Sequence, residues 1–431
     1  MKKMKCKAAA FLIAVSMLNC MSGCFINDLL EHAQGQLFES VKFEDDSGYT
    51  QVTAETVADS AYYKPKAVTY GYDSLDSQTQ KDCYNDMCTA VYRISEEKNE
   101  YDLYATGKVN IKDKSFTEKD LEKCIKAFTM DHSEVFWVAN RYTYGAAGNQ
   151  FVVQLYSYVG GEECKKRIVK FSDAVNEVLS NIPSGLNEYH LEKYIHDTVL
   201  SGCTYAAGVN DAEDGWEEFT VYGTLINGSA VCEGYSHTMG LLLNKVGIPC
   251  YFVNGYGENS PHMWNIVNID GNWYHLDSTW DDNDNAYYHY FNIDDNTVLH
   301  DHEISPLYED TDTSKDGIFN LWLPECTSDS ANYFIVESTY VYDFNECRDV
   351  MVADLVRAAE NKDTEFTIKF DTALDYNEAL RVMFNGEPYY MFDYIMEANK
   401  QLDTDYKIND ENVSLIILEQ FSSVVVKLEY V

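Results

Sequence analysis

Two short runs of alternating character, His262 to Ile269 and Asn272 to Asp277, meet at the dipeptide Asp270-Gly271. Asp-Gly between alternating runs is a strong local signal for a two-residue hairpin turn, because both central residues need positive φ and these two reach it at low cost. Such a turn fixes the register: cross-strand partners must have numbers summing to 270 + 271 = 541. Trp264 then faces Asp277. His262, two residues from Trp264, points the same way, so His262 and Asp277 become diagonal neighbours on one face. A carboxylate in that position holds an imidazole in one tautomer and stabilises the imidazolium.

Upstream, Tyr235, Met239, Leu242, Leu243 and Val246 recur at helical spacing until Gly247 and Pro249 stop the pattern. The helix begins near Ser229, so Cys232 falls in its first turn. There the unpaired backbone N–H groups and the positive end of the helix dipole favour a thiolate. A strand, Cys250 to Asn254, leads back to the hairpin. Alone, a free cysteine is usually a small buried hydrophobe, and a histidine on an apolar strand is usually a satisfied core residue. Nucleophile, base and orienting acid together point to covalent catalysis. His275 lies on the same face as His262 and competes for the role of base. His262 is preferred because it heads its strand beside the loop Gly255 to Pro261, where a cleft can open.

The segments Gly228-Ser229-Ala230-Val231-Cys232-Glu233-Gly234-Tyr235, Gly247-Ile248-Pro249, His262-Met263-Trp264-Asn265 and Trp273-Tyr274-His275-Leu276-Asp277-Ser278-Thr279-Trp280 resemble those of bacterial transglutaminase-like proteins. Their core is a relative of the papain fold with Cys, His and Asp in that chain order. Ser278 stands where the family more often has proline. The resemblance is strong from about Leu186 to His302. It implies an α+β chain with a papain-like, transglutaminase-like cysteine-hydrolase core, in which Cys232 attacks an amide, His262 moves the proton and Asp277 orients His262. The resulting thioester goes to water or to an amine. Tyr222 and Trp264 are candidates for the oxyanion site or cleft, beside the backbone N–H of Cys232.

Met1 to Cys24 carries Lys2, Lys3, Lys5 and Lys7, then an apolar run from Ala8 to Leu18, then small residues. That is the pattern of a secretory leader, and the run is too short to span a bilayer. Met21-Ser22-Gly23-Cys24 resembles a lipoprotein cleavage box, so Cys24 is the expected lipidation site and the protein is expected to hang from a membrane on its extracytoplasmic face. Loss of the four leader lysines takes the net charge from −39 to −43, which argues against nucleic acid or an anionic lipid surface as a partner and is compatible with cationic substrates; the amide chemistry makes a protein or peptide the expected substrate.

Of twelve cysteines, Cys6 and Cys20 leave with the leader, Cys24 is lipidated and Cys232 is catalytic, which leaves eight. Cys83/Cys88 and Cys326/Cys347 are the first pairs to test as disulfides. No Cys/His cluster has zinc-ligand spacing, so neither metal nor cofactor is expected. The acidic run Asp281-Asp282-Asn283-Asp284-Asn285 lacks the glycine and distal glutamate of an EF-hand and reads as a solvated turn.

The chain divides into the leader (1–24), a spacer (25–64), an N-terminal α+β domain (65–160), the transglutaminase-like core (161–302), an acidic linker (303–330) and a C-terminal α+β domain (331–431). In the N-terminal domain, Asp76 to Tyr92 and Thr117 to Met130 read as helices. Tyr101 to Ile111, Val135 to Tyr144 and Gln150 to Tyr158 read as strands. The segment Ala127 to Val138 resembles the region preceding the core in related secreted proteins, with His132 structural. Two function classes remain: a tethered thiol enzyme acting on peptide or glutamine amides, and a surface binding or scaffold module that keeps the fold without turnover.

Overall fold

The computed structural model describes residues 13–17, 46–53, 61–64, 68–147, 150–282, 288–309, 317–337, 339–344, 346–385, 390–410 and 413–431. Cys24, Cys6, Cys20 and most of the expected spacer lie outside them. Chain contacts divide the protein into two units, Met1–Asn285 with Asp294–Thr327, and Ala286–Ile293 with Ser328–Val431.

In the first unit, Ile13–Met17 (β1), Thr50–Gln51 (β2), Arg93–Lys98 (β3), Tyr104–Ile111 (β4), Val138–Ala147 (β5) and Gln150–Ser157 (β6) form a sheet of order β1-β5-β6-β4-β3-β2. β1 falls inside the apolar run of the expected leader and pairs antiparallel with Arg141 to Gly145 at the edge. β5 runs on through Gly145 and Ala146, which pair with Val152 and Phe151. Two helices pack here, Gln78–Ala90 (α1) and Glu118–Asp131 (α2). Each starts on a reciprocal capping box, Ser77 with Gln80 and Thr117 with Asp120, which satisfies two orphan N–H groups at once.

Gly161–Ser180 (α3) and Glu188–Gly202 (α4) follow, and then Cys232–Lys245 (α5). Every residue of α5 from Cys232 to Leu243 is buried, so it is a central helix rather than an amphipathic one. Gly234 is required there, since a Cβ at that position would lie 2.5 Å from the Glu218 carbonyl oxygen.

Against α5 packs a meander of Cys250–Gly257 (β7), Ser260–Ile269 (β8) and Asn272–Leu276 (β9). Asn265↔Leu276 and Ile269↔Asn272 are partners, which is the register summing to 541. Asp270 and Gly271 have φ of 50° and 87°, the geometry that turn demands. The segment Gly255 to Pro261 is not an open loop. β7 and β8 pair to Ser260↔Gly257, leaving Glu258 and Asn259 as a second two-residue turn with φ of 48° and 67°.

His302–Ile304 (β10) completes the sheet on the far edge of β7. Residues 303–327, acidic enough to read as linker, therefore belong to this unit. Asn320, 1 % exposed, ties them in through Asn254 N–H to Oδ1 (2.7 Å) and from Nδ2 to the Ser305 carbonyl (2.7 Å). The N-terminal segment joins the same body: Lys126 Nζ donates to Asn254 Oδ1 at 2.9 Å, and Tyr70 stacks on Trp322 at 4.5 Å.

In the second unit, Thr339–Val341 (β11), Glu365–Phe370 (β12), Ser414–Leu418 (β13) and Ser423–Lys427 (β14) form a sheet of order β11-β12-β14-β13. Two helices, Arg348–Asn361 and Tyr390–Gln401, share its core through Met351, Leu355, Ile368, Tyr394 and Val424. The architecture throughout is α+β.

Candidate active site

Cys232 is the first residue of α5, after Val231 in extended conformation. One turn on, the Ser236 hydroxyl donates to the Met263 carbonyl (2.9 Å), and Asn265 Nδ2 donates to the Ser236 carbonyl (3.1 Å). These bonds pin α5 to β8 and bring Cys232 beside His262. The two side chains are near enough for the sulfur to act on the titration of the ring. On its other side, His262 Nε2 meets Asp277 Oδ2 at 2.7 Å, which leaves Nδ1 for the sulfur. Cys232 is 8 % exposed and Asp277 1 %.

Asp277 is fully engaged. Oδ1 accepts from the backbone N–H groups of Thr279 (3.0 Å) and Trp280 (3.2 Å), capping the short helix Ser278–Asp281. Oδ2 accepts from His262 and also from His302 Nε2 at 3.1 Å. Burial works toward the neutral acid, yet the charges and hydrogen bonds of His262 and His302 hold the carboxyl below its ordinary range. Burial likewise opposes charge on His262. The charge and hydrogen bond of Asp277, with Cys232 beside them, overcome it and lift His262 to about 10. The ring is therefore an imidazolium at neutral pH.

His302 was not singled out from sequence. It lies 25 residues beyond Asp277 and reaches the site only because β10 pairs with β7 at His302↔Gly257. Its Nδ1 bonds Asp301 Oδ1 at 2.7 Å. Burial lowers its titration, and the bonds to Asp277 and Asp301 prevail and raise it. Trp264, Trp280 and His302 surround His262, with ring centroids 5.8, 5.6 and 5.5 Å away. This aromatic shell keeps bulk water from the His262–Asp277 pair and strengthens it.

The other candidates take different places. Trp264 is 1 % exposed, and its indole N–H donates to His275 Nδ1 at 3.0 Å, so it forms the floor beneath His262 rather than an open cleft wall. His275 is thereby engaged elsewhere, with Nε2 on Asp295 Oδ1 at 2.9 Å. The Tyr222 ring packs on Phe136 (5.0 Å) and under the Arg167 guanidinium (5.0 Å). Asp281 is not part of a solvated turn: it is 0 % exposed and its Oδ2 lies 3.2 Å from His196 Nε2. The rest of that acidic run from Asn283 lies outside the described residues.

Beside Cys232, Glu233 is 0 % exposed, and burial and then the charge of Cys232 push its carboxyl well above the ordinary range. It is an uncharged acid and does not compete with Cys232 for His262.

Among the described residues, two groups have ligand atoms within 4.8 Å of one another, His262/Asp277/His302 and His275/Asp295/Cys326. The His–Asp contacts of 2.7, 3.1 and 2.9 Å are hydrogen bonds that use ring protons, and a metal would have to displace those protons. The nine described cysteines are free. Cys83 and Cys88 stand five residues apart on α1, roughly 140° around the helix. Accordingly Cys83 turns toward Cys124 while Cys88 faces His132. Cys347 packs on the Phe344 carbonyl and Tyr394.

Residues 178–278 match the model of the transglutaminase-like superfamily. The chain thus contains a transglutaminase-like domain, and the matched stretch holds Cys232, His262 and Asp277 but stops short of His302. Among solved structures it is similar to a TGase (15 % identity, 41 % of this chain and 52 % of that one, TM-score 0.26). It is also similar to a candidate cysteine protease from Cytophaga hutchinsonii (17 % identity, 31 % and 55 %, TM-score 0.22). A third is a candidate protease from Parabacteroides distasonis (15 % identity, 30 % and 29 %, TM-score 0.22). The likeness spans about half the length of the first two. No curated protein matches the chain.

Proposed function

We propose that this protein is a membrane-tethered, extracytoplasmic thiol enzyme that acts on peptide or glutamine amide bonds. The observation that carries the reading is His262, bonded to Asp277 at 2.7 Å and with Cys232 as its electrostatic neighbour. The Cys232 sulfur adds to the amide carbonyl, and its backbone N–H, at a helix end where such groups lack intrahelical acceptors, donates to the developing oxyanion. The C–N bond breaks as the His262 proton passes to the leaving nitrogen, and a thioester remains. Water or an amine then attacks the thioester, its proton returning to His262 as the sulfur leaves. Asp277 keeps Nε2 protonated throughout, so that only Nδ1 exchanges protons with the reactants.

The lysine-rich leader and the Ser-Gly-Cys junction support tethering through Cys24. Among the described residues no helix is long and apolar enough to cross a membrane.

The test incubates the purified protein with a glutamine-containing peptide mixture, with and without a primary-amine probe. Released ammonia, new peptide termini and incorporated probe are each measured. Cys232→Ala and His262→Ala are expected to remove activity by about 10³-fold or more each. Probe incorporation identifies acyl transfer, and new termini or ammonia without it identify hydrolysis. Full activity in either variant, or none of the three products from wild type, overturns the enzyme reading in favour of a binding module.

A further inference from the structure

A second thiol–imidazole–carboxylate arrangement lies outside the site described above. Tyr84 and Cys88, one turn apart on α1, present their polar atoms to His132, the residue that ends α2. Cys88 Sγ lies 3.3 Å from His132 Nε2, and the Tyr84 hydroxyl lies 3.0 Å from the same nitrogen. On the opposite side of the ring, Nδ1 meets Glu134 Oε1 at 2.9 Å. Of the nine described cysteines, eight are buried and Cys88 alone is partly exposed.

The proton positions follow from the hydrogen bonds. Asp131 accepts from the backbone N–H groups of Gly71 and Tyr72, each at 2.8 Å, and from the Tyr84 hydroxyl at 3.0 Å. The single phenolic proton is thus committed to Asp131, and toward His132 the Tyr84 oxygen can only accept. His132 Nε2 must therefore carry a hydrogen, directed at the Tyr84 oxygen and the Cys88 sulfur. Glu134, whose titration burial would raise, is held below the ordinary range by its bond and charge contact to His132, so it accepts from Nδ1–H. With hydrogens on both nitrogens the ring is an imidazolium. Burial opposes this, and the hydrogen bonds that the ring donates to Cys88 and Glu134 outweigh it and lift His132 to about 10. The remaining groups facing the cluster are Tyr92 and Lys245, which act on Glu134 from either sign, and Ser133, whose hydroxyl pairs with His237 Nδ1 at 2.7 Å.

We propose that Cys88, His132 and Glu134 form a second reactive-thiol site, at which the Cys88 sulfur exchanges with small disulfides and takes up soft electrophiles independently of Cys232. A sulfur facing a charged N–H donor and open to solvent has the two properties that reactive cysteines share. In the exchange, the Cys88 sulfur attacks one sulfur of RSSR, the Cys88–S–S–R bond forms and the old S–S bond breaks. The departing RS⁻ takes the His132 Nε2 proton and leaves as RSH. The protein thiol is oxidised and the small disulfide reduced, with no other reactant.

The test treats the full chain with iodoacetamide, and separately with glutathione disulfide, at pH 6 and pH 8.5, and reads each cysteine by peptide mass spectrometry. An unpaired thiol loses about 160-fold in thiolate between those pH values. Cys88 is expected to lose less than about 10-fold and, at pH 6, to react at least about 10-fold faster than N-acetylcysteine. Glu134→Gln should slow Cys88 at pH 6 by several-fold, and His132→Gln by at least 10-fold, with unchanged circular dichroism as the check on folding. Cys88→Ser should leave labelling of Cys232 and turnover as in wild type. A wild-type Cys88 that loses the full factor between pH 8.5 and pH 6, or reacts no faster than N-acetylcysteine at pH 6, overturns the proposal whether or not the variants fold. Neither result bears on Cys232, which is read from its own peptide.

Discussion

Asp277→Asn is the most informative single change at the Cys232 site. The amide keeps one oxygen, which can still accept from the Thr279 and Trp280 N–H groups and preserve the helix cap. Its NH₂ then faces the Nε2 atoms of His262 and His302, where the carboxylate accepted at 2.7 and 3.1 Å. Two charge-assisted bonds at about 1.5–3 kcal/mol each are lost, and an imidazolium is left without its buried partner, a loss of about 3–5 kcal/mol in comparable cases. His262 escapes that cost by giving up the Nε2 proton and accepting from the amide, which puts its remaining hydrogen on Nδ1, where it can no longer take one from Cys232. Activity should fall by several orders of magnitude, with the fold kept.

The stability loss should depend on pH. His262 is lifted to about 10 against about 6.5 unfolded, so its contribution is whole below about 6.5 and is lost as pH rises through 10. Asp277 is held below its ordinary value, so its contribution is present above about 3.9 and is lost as pH falls. The window for both is about pH 4 to 6.5. All six tryptophans lie in the first unit, so urea unfolding followed by tryptophan fluorescence reads that unit alone. At pH 5.5 the variant should be about 3–5 kcal/mol less stable than wild type, and at pH 10 about 1 kcal/mol. A difference below about 1 kcal/mol at pH 5.5, or the same at both pH values, would refute the charged-pair account.

The remaining expectations are shorter. Gly255→Ala sets a Cβ 2.1 Å from the Glu303 carbonyl oxygen and should cost about 3 kcal/mol or more by pushing β10 off β7, read as a lower urea midpoint; a change within about 0.5 kcal/mol would show that β10 is loosely held. His302→Gln takes away one donor to Asp277 Oδ2 and leaves the His262 bond, so turnover should fall less than in Asp277→Asn, and an equal fall would contradict the geometry. Cys24→Ala should move the protein out of the membrane fraction, and equal membrane retention would count against the anchor. EDTA should leave turnover unchanged, because the ring protons occupy the positions a metal would need. Activity lost with EDTA and restored by calcium or zinc would reverse that conclusion.

What could be read from the chain was local. The Asp270-Gly271 turn carries its own φ requirement, so its register, and with it the meeting of His262 and Asp277, could be worked out on paper. The second turn could not, because Glu258-Asn259 adopts positive φ without a glycine and resembles any polar loop. Nothing in Asp301-His302 marks that histidine as a partner of Asp277, since the link is a strand pairing across 44 intervening residues, His302↔Gly257. Acidity misled twice: Asp281 is a buried partner of His196, and the stretch after Ile304 is docked through Asn320. Cys83 and Cys88 look like a pair by spacing, yet helical rotation sends one to Cys124 and the other to His132.

The two tight turns also bear on how the site comes into being. His262 and Asp277 are 15 residues apart in the chain and Asp277 and His302 are 25 apart, while Cys232 precedes His262 by 262 − 232 = 30. The entropy of closing a loop rises by only about 0.6 kcal/mol per doubling of its length, so each of these closures is cheap. Hairpins form in about 1–10 μs, and the meander β7-β8-β9 pairs His262 with Asp277 through sequence-local contacts alone. Cys232 joins only when α5 buries its full circumference. Assembly of the site is thus limited by helix docking, a packing event, and the polar pair behaves as a preformed template for it.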